Sequence, residues 1–146
     1  MAQKNSDLTV DYAFIAQSAD VSMHGLLNVE NGGITRLVVG SFTKQLSLIF
    51  VARVRAENAD SPVMYTCRVT AESPTREGGN SYGTVHAYVA VREGGFFVLP
   101  VAIQASYPGE YRVKLSAYRG LAMSNEGGDF NSSDWPVIAD LPLFIQ

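Results

Sequence analysis

Apolar and polar residues alternate with a period of two along most of this chain, and the clearest case follows a Pro108-Gly109 turn. From there on, Tyr111, Val113 and Leu115 fall on one side of the chain and polar residues fall on the other. Successive side chains of a β-strand point to opposite faces, whereas a helix repeats its apolar positions every three or four residues. The pattern therefore predicts a half-buried strand that the chain enters through a tight corner.

The same alternation predicts about eight strands and no helix in the rest of the sequence. Val, Thr, Tyr and Phe dominate these runs, as they do on pleated surfaces, and turn residues separate the runs at short intervals. We expect one all-β domain over residues 8–146, a single antiparallel β-sandwich of about 7–9 strands, after a flexible N-terminus at residues 1–7. The runs lie at residues 9–18, 25–29 with 34–39, 45–55, 63–72, 84–92, 96–105, 111–118 and 136–145.

Three local assignments follow from the period of two. The run at 9–18 places Val10, Tyr12, Phe14 and Ala16 together on one face, which we expect to be the core side. The run at 84–92 places Val89 on the core side and Tyr88 on the polar side. Residues 92–95, with two adjacent glycines, predict a β-hairpin between their flanking strands.

Composition limits the class of protein. The chain has 146 residues, 47% of them apolar and 17% charged, with a net charge of −3. A chain of this length can bury a substantial core, and its charge creates no strong field for nucleic acid or acidic membranes. The sequence lacks a signal peptide and a long apolar run, and its one cysteine excludes an internal disulfide. These features predict a cytoplasmic protein without a membrane anchor.

No group of residues predicts a catalytic or zinc site. The chain has two histidines, His24 and His86, whereas a structural zinc site needs four Cys or His ligands at short spacings. We expect both histidines at the surface, with His86 on the polar face of its strand. Cys67 has the parity of a core residue and is expected to be a small buried apolar side chain. We therefore predict no enzyme and no cofactor.

Calcium is the nearest match to a metal motif. Asp129, Asn131 and Ser133 stand at positions 1, 3 and 5 of a twelve-residue loop, and Asp140 stands at position 12. Oxygen ligands at this spacing suit Ca²⁺, but Asp134 replaces the glycine that the sharp turn requires, and no helices flank the loop. We interpret these acids as solvated loop residues.

Five basic residues share the outward parity of their strands. A basic stripe would form if these strands were neighbours, and such a stripe could follow a row of phosphates. The negative net charge and the lack of interleaved aromatic residues argue against nucleic acid. Protection of strand edges is the simpler interpretation. The residues are Arg53, Arg55, Arg68, Arg112 and Lys114.

Two runs, at residues 48–52 and 96–103, are apolar on both faces. A strand of a two-layer fold should present one face to water, so either the apolar C-terminal segment or another subunit should cover the second face. Pro100 cannot donate a ladder hydrogen bond, which places its strand at an edge or a bulge. We therefore expect a homo-oligomer built on this edge, with Phe96 and Val98 as binding residues.

A second group of binding candidates consists of aromatic residues. The stretch 120–135 has no strand pattern, is rich in Gly, Asn and Ser, and carries the chain's one tryptophan, Trp135. Loops of this length are often functional. If exposed, Tyr82, Tyr118 and Trp135 could bind carbohydrate.

Two parts of the sequence resemble a family of small uncharacterised bacterial all-β proteins of unknown function. Members open with an Ala-Asp-x-x-x-x-Gly-Lys-Leu-Asn-type strand pair and close with a Pro-Gly-x-Tyr strand. Here Leu26 takes the place of the polar residue in the opening pair. The resemblance implies a fold and no activity. The matching segments are residues 12–16, Ala19-Asp20, residues 25–29, Gly32-Gly33 and residues 108–113.

The closing motif also resembles the corner of immunoglobulin-like sandwiches. Tyr111 takes the position of the corner tyrosine, two residues before a core position that Val113 fills here. The partner cysteine and the central tryptophan of true immunoglobulin domains are absent. The resemblance implies an immunoglobulin-like sandwich without membership of that family.

Taken together, these features predict a non-enzymatic protein-binding or assembly module. One alternative is a structural subunit of a larger, phage-like or virus-like particle. Another is a carbohydrate-binding sandwich that uses the three aromatic candidates. A protein partner or self-association is the expected interaction, without a membrane.

Overall fold

Nine β-strands account for most of the residues that the structure describes. A computed structural model describes residues 8–42, 44–56, 60–74, 85–120 and 135–146, with the side chains of 85–87 left out. No helix occurs within these ranges, and so none that is long and apolar enough to cross a membrane. The strands are β1 (Leu8–Val21), β2 (Leu27–Gly32), β3 (Arg36–Leu37), β4 (Lys44–Ala56), β5 (Val63–Glu72), β6 (Val85–Ala90), β7 (Gly95–Ala105), β8 (Gly109–Arg119) and β9 (Val137–Ile145).

The strands form two sheets, which confirms the all-β prediction. The first sheet has four strands in the order β2-β1-β4-β7, and the second has five in the order β3-β9-β8-β5-β6. All neighbours are antiparallel except β3 and β9, which pair in parallel over two residues. The chain therefore changes sheet several times, most importantly between β6 and β7 and between β7 and β8.

A common core lies between the two sheets. Phe50 and Leu99 from the first sheet and Tyr65, Leu115 and Leu143 from the second are all at most 1% exposed and belong to one apolar cluster. Burial of such side chains is the main favourable contribution to folding. Both sheets therefore contribute their inward faces to this core.

Cys67 lies in this core, as its parity predicts. Its side chain is fully buried and carries a free thiol. Burial raises the pKa of the Cys67 thiol to about 12, because the thiolate would lose its hydration in the core. The thiolate is the reactive form of cysteine, so this residue is unsuited to act as a nucleophile.

The period of two is obeyed in β4, β5 and β8. Even positions of β4 from Leu48 to Ala56 are buried, and Arg53 and Arg55 face away from the core. In β5 the odd positions from Tyr65 to Ala71 are buried in the same manner, and in β8 those from Tyr111 to Ala117. These three strands are central in their sheets, where a neighbour on each side holds the register and the core determines which face turns inward.

The assignment for β1 is wrong beyond Asp11. The pairing of β1 with β4 shifts between Val10 and Tyr12, so Asp11 is an extra residue in a β-bulge. After the bulge, Ile15 points into the core and is 1% exposed. Tyr12 and Phe14 consequently lie on the outer face of the first sheet.

The assignments around β6 are wrong as well. Tyr88 pairs with the buried Tyr65 and stacks on Phe97 of the core, with ring centroids 4.6 Å apart, whereas Val89 is 55% exposed. In the register of β5 and β6, His86 pairs with Cys67. Residues 92–95 do not form a hairpin, because β6 and β7 belong to different sheets.

The corner at Tyr111 is confirmed. Its side chain is 1% exposed, and its hydroxyl donates to the backbone carbonyl of Tyr107 at 2.7 Å and accepts from the backbone N–H of Tyr107 at 3.3 Å. Gly109 has a φ of +135°, which L side chains rarely adopt, and a Cβ there would lie 3.1 Å from Pro74. The tyrosine thus fixes the passage of the chain from the first sheet to the second.

Candidate functional site

An apolar patch covers the outer face of the four-stranded sheet. The register places Tyr12, Arg53 and Phe96 in one row across β1, β4 and β7, and Phe14, Val51 and Val98 in the next. A third row contains Ala16, Ile49 and Pro100. Opposite residues of antiparallel strands point to the same face, so these side chains adjoin one another. We call the patch the outer apolar face: Tyr12, Phe14, Ile49, Val51, Phe96, Val98 and Pro100.

The outer apolar face packs largely within itself and is partly exposed: Tyr12 and Pro100 are exposed, and its other residues are half-buried or, for Val51, fully buried. Val51 is fully buried although it lies outside the core cluster, and its neighbours in the row are Phe14 and Val98. Tyr12 is 48% exposed, and its ring stacks on Phe14 with centroids 6.3 Å apart. The predicted intramolecular cover does not come from the C-terminal strand, because β9 lies in the other sheet and adds Leu143 and Ile145 to the core.

The two ends of this face carry opposite charge. At one end Arg55 holds Asp11 in a bidentate pair, with 2.8 Å between Nη2 and Oδ1, and Arg53 lies 4.0 Å from the same carboxylate. The hydrogen bond from Arg55 lowers the pKa of Asp11, so the carboxylate stays ionised. At the other end the exposed acids Glu30 and Asp20 lie on β2 and β1, and Glu30 accepts a hydrogen bond from Ser18 at 3.0 Å.

Arg53 also supports the aromatic part of the face. Its guanidinium carbon lies 5.2 Å from the centre of the Phe96 ring, and Nη2 donates to the carbonyl of Glu93 at 3.3 Å. A cation over an aromatic ring is attracted to the ring's negative face. The basic end is therefore ordered and continuous with the apolar patch.

Strand β7 forms one edge of the sheet, as Pro100 predicts. This edge is poorly suited to pair with another strand, because Pro100 provides no N–H. In addition, the Tyr88 hydroxyl from the opposite sheet donates to the carbonyl of Val98. Both are ways in which proteins protect an edge. The edge of β7 is thus poorly suited to the addition of another strand.

The aromatic candidate Tyr118 lies on β8 of the other sheet, away from Phe96 and Val98, and Trp135 lies just before β9. Their rings stack with centroids 5.6 Å apart, and the Arg68 guanidinium lies 4.5 Å from the Trp135 ring centre. Desolvation lowers the pKa of Arg68. Trp135 is 3% exposed, so it is not the exposed aromatic surface that the sequence suggested. It is a packing residue beneath an arginine.

The remaining candidates are placed only in part. Tyr82, Asp129 and Asn131 lie outside the described residues. Asp140 is described, and its carboxylate accepts a hydrogen bond from Arg112 at 3.0 Å. Within the described part of the chain, no three His, Cys, Asp or Glu side chains come together in a group that could hold a metal ion.

The five basic residues do not form one stripe. Arg53 and Arg55 lie on the first sheet, whereas Arg68, Arg112 and Lys114 lie on the second. Arg112 bonds Glu110 at 2.8 Å as well as Asp140, and these partners raise its pKa. Lys114 pairs with Glu72 at 3.1 Å. Local partners thus neutralise much of the charge that a row of phosphates would need.

The sequence alone did not identify Tyr12 and Phe14 as surface residues. The one signal was Asp11, an acid inside an apolar strand, since an extra polar residue is typical of a bulge. The contact between Arg53 and Phe96 could not be predicted from the sequence, because these residues are more than forty positions apart in the chain.

Comparisons with known proteins bear on the fold alone. No family model matches the chain, and no curated protein matches it. The crystal structure of the C-terminal domain of Wzt is similar, with a TM-score of 0.53 at 12% identity over 96% of this chain and 74% of that one. The N-terminal domain of PorA gives a TM-score of 0.34 at 10% identity, over 92% of this chain and 96% of that one, which is too low to carry an argument.

Proposed function

We propose that this chain is a non-enzymatic protein-binding module that assembles with a second copy of itself through the outer apolar face. The observation that carries the proposal is the outer apolar face, a patch of aromatic and aliphatic side chains on β1, β4 and β7 that no described strand of the second sheet covers. Exposed apolar patches that continue across several strands mark interaction surfaces. The lone, buried and free Cys67 supports a cytoplasmic setting.

We further propose that the two sheets form one immunoglobulin-like β-sandwich. Their shared core, the Tyr111 corner and the likeness to the Wzt domain support this architecture. A sandwich presents its outward faces to solvent, and an apolar outward face is therefore exceptional.

The distribution of charge supports a second copy as the partner. Two guanidinium groups and one carboxylate occupy one end of the face, and Glu30 and Asp20 occupy the other. When two copies stack face to face about a two-fold axis that lies in the plane of the interface near Val51, the basic end of one copy can meet the acidic end of the other. Interfaces of this kind use the same patch twice and close after two subunits.

Charge reversal at both ends tests this arrangement. We expect Arg53→Glu and Glu30→Arg each to weaken self-association about three- to tenfold, because each places like charges together across the interface. The double variant should recover most of the lost affinity, since it restores opposite charges. Sedimentation equilibrium at low salt would measure these dissociation constants.

Asp60→Lys is the control with a charge change of the same size as Glu30→Arg, because this exposed residue lies outside the strands of the first sheet. It should leave the dissociation constant unchanged. A double variant weaker than both single variants would contradict the two-fold arrangement.

The two alternatives have less support. Carbohydrate binding relied on exposed aromatic residues, and Trp135 is buried beneath Arg68. A subunit of a larger particle needs contacts that do not end at two subunits. Such contacts would give species larger than a dimer in the sedimentation experiment.

A further inference from the structure

The first sheet splits near one end, and a cleft opens at the split. The pairing of β1 with β4 stops at Ala16 and Ile49; beyond these residues β1 pairs with β2, and β4 pairs with β7. A cleft of ≈ 720 Å³ lies between the separated strands. The segment that follows β2 lines it with Ile34, which donates its N–H to the carbonyl of Ile15 at 2.8 Å.

The backbone of Ser47 faces this cleft. Pro100 of β7 stands opposite Ile49 of β4 and has no N–H, so that pair is one of the non-hydrogen-bonded pairs of an antiparallel ladder. These pairs alternate with hydrogen-bonded ones, so Ser47 and Ala102, two residues along, form a non-hydrogen-bonded pair as well. The N–H and C=O of Ser47 therefore point away from β7, toward the side that β1 has left.

The cleft also contains one positive charge and no acidic side chain among the residues that line it. Arg36 lines it, no Asp or Glu does, and Arg36 has no hydrogen bond or ion pair with the described residues. The other polar side chains of the wall include Thr35 and an amide pair in which Asn31 donates to Gln17. A guanidinium group in such a setting favours a carboxylate, which it can bind with two parallel hydrogen bonds.

We propose that this cleft binds an extended peptide segment of another protein, with an acidic side chain placed on Arg36. The peptide backbone would bond the N–H and C=O of Ser47 and so occupy the strand position that β1 vacates. Addition of a strand to an open sheet edge takes its affinity from main-chain hydrogen bonds and its specificity from side-chain pockets. The half-buried Ile34, Leu37 and Leu46 provide an apolar floor for the remaining side chains.

The test is selection of a phage-displayed library of random seven-residue peptides against the full chain. We expect a bound pool that is enriched in Asp and Glu. Ser47→Pro removes the N–H that faces the cleft, and binding of the pool should fall by about tenfold or more. Ser47→Ala keeps that N–H and is the matched control, which should bind the pool within about twofold of the unaltered chain.

Arg36→Gln should also weaken binding of the pool. Peptides selected against this variant should no longer be enriched in Asp and Glu. Thermal unfolding would show whether Ser47→Pro folds. If it does not, Arg36→Gln still tests the proposal, because Arg36 is exposed and its replacement should not disturb folding. No pool above background, or a pool that binds Ser47→Pro as well as the unaltered chain, would overturn the proposal. If free N-acetylglutamate displaced the bound pool as well as the peptides themselves do, the cleft would be a site for small anions, and the proposal of a peptide occupant would be wrong.

Discussion

Replacing Phe97 with alanine is expected to lower the free energy of unfolding by about 3–5 kcal/mol. The Phe97 ring is 1% exposed, lies in the core between the sheets and stacks on Tyr88 with centroids 4.6 Å apart. Its removal would leave a cavity and would deprive Tyr88 of its packing partner at the edge of the second sheet. Urea unfolding followed by tryptophan fluorescence measures the change, since Trp135 is buried in the folded state.

Phe96→Ala is the matched control, because the same residue type one position earlier points to the opposite face. Phe96 lies on the outer apolar face, half-buried, with Arg53 at 5.2 Å from its ring centre. Removal of the Phe96 ring should lower the free energy of unfolding by less than about 1.5 kcal/mol, as is usual for substitutions away from the core. Equal losses for the two variants would contradict the assignment of inner and outer faces in β7.

Replacing Tyr111 with phenylalanine is expected to lower the free energy of unfolding by about 1–3 kcal/mol, since the carbonyl and N–H of Tyr107 would lose their buried partner. The hydroxyl that disappears makes the 2.7 Å and 3.3 Å bonds of the corner, and the ring itself stays. The same urea titration measures the effect.

Tyr12→Phe is the control for this hydroxyl, because Tyr12 is 48% exposed. It should leave the unfolding midpoint almost unchanged. A midpoint for Tyr111→Phe equal to that of the unaltered chain would show that the corner bonds contribute nothing to stability.

The sequence predicted the elements whose pattern is local. Period-two alternation located the inward faces of β4, β5 and β8, and it placed Cys67 in the core. The Pro-Gly-x-Tyr segment predicted the corner, because the geometry of that motif depends on five consecutive residues. Pro100 predicted an edge strand for the similarly local reason that proline lacks an N–H.

The predictions from sequence were wrong where a contact between distant residues determines which face of a strand points inward. The bulge at Asp11 turns Tyr12 and Phe14 outward, and a register shift of this kind depends on the pairing with β4. Tyr88 points inward because Phe97, in the other sheet, offers its ring a packing surface. Alternation within β6 gives no information about that neighbour.

The candidate site was predicted in part. Phe96 and Val98 lie on the outer apolar face, and the run at 96–103 drew attention to them because it is apolar on both sides. The partners that complete this face come from β1 and β4, and the cleft at Ser47 depends on where two strands separate. Neither arrangement has a signature in consecutive residues, since both arise from sheet register.

The central claim, self-association through the outer apolar face, is tested most directly by sedimentation equilibrium of the unaltered chain and of Val98→Asp. Val98 lies in the middle row of the face beside Val51, and an aspartate there would bring an unpaired charge into the interface. We predict a reversible dimer for the unaltered chain at about 100 μM, since interfaces of modest area bind weakly, and a folded monomer for Val98→Asp. A monomeric unaltered chain at that concentration, or a Val98→Asp variant that dimerises equally well, would contradict the account.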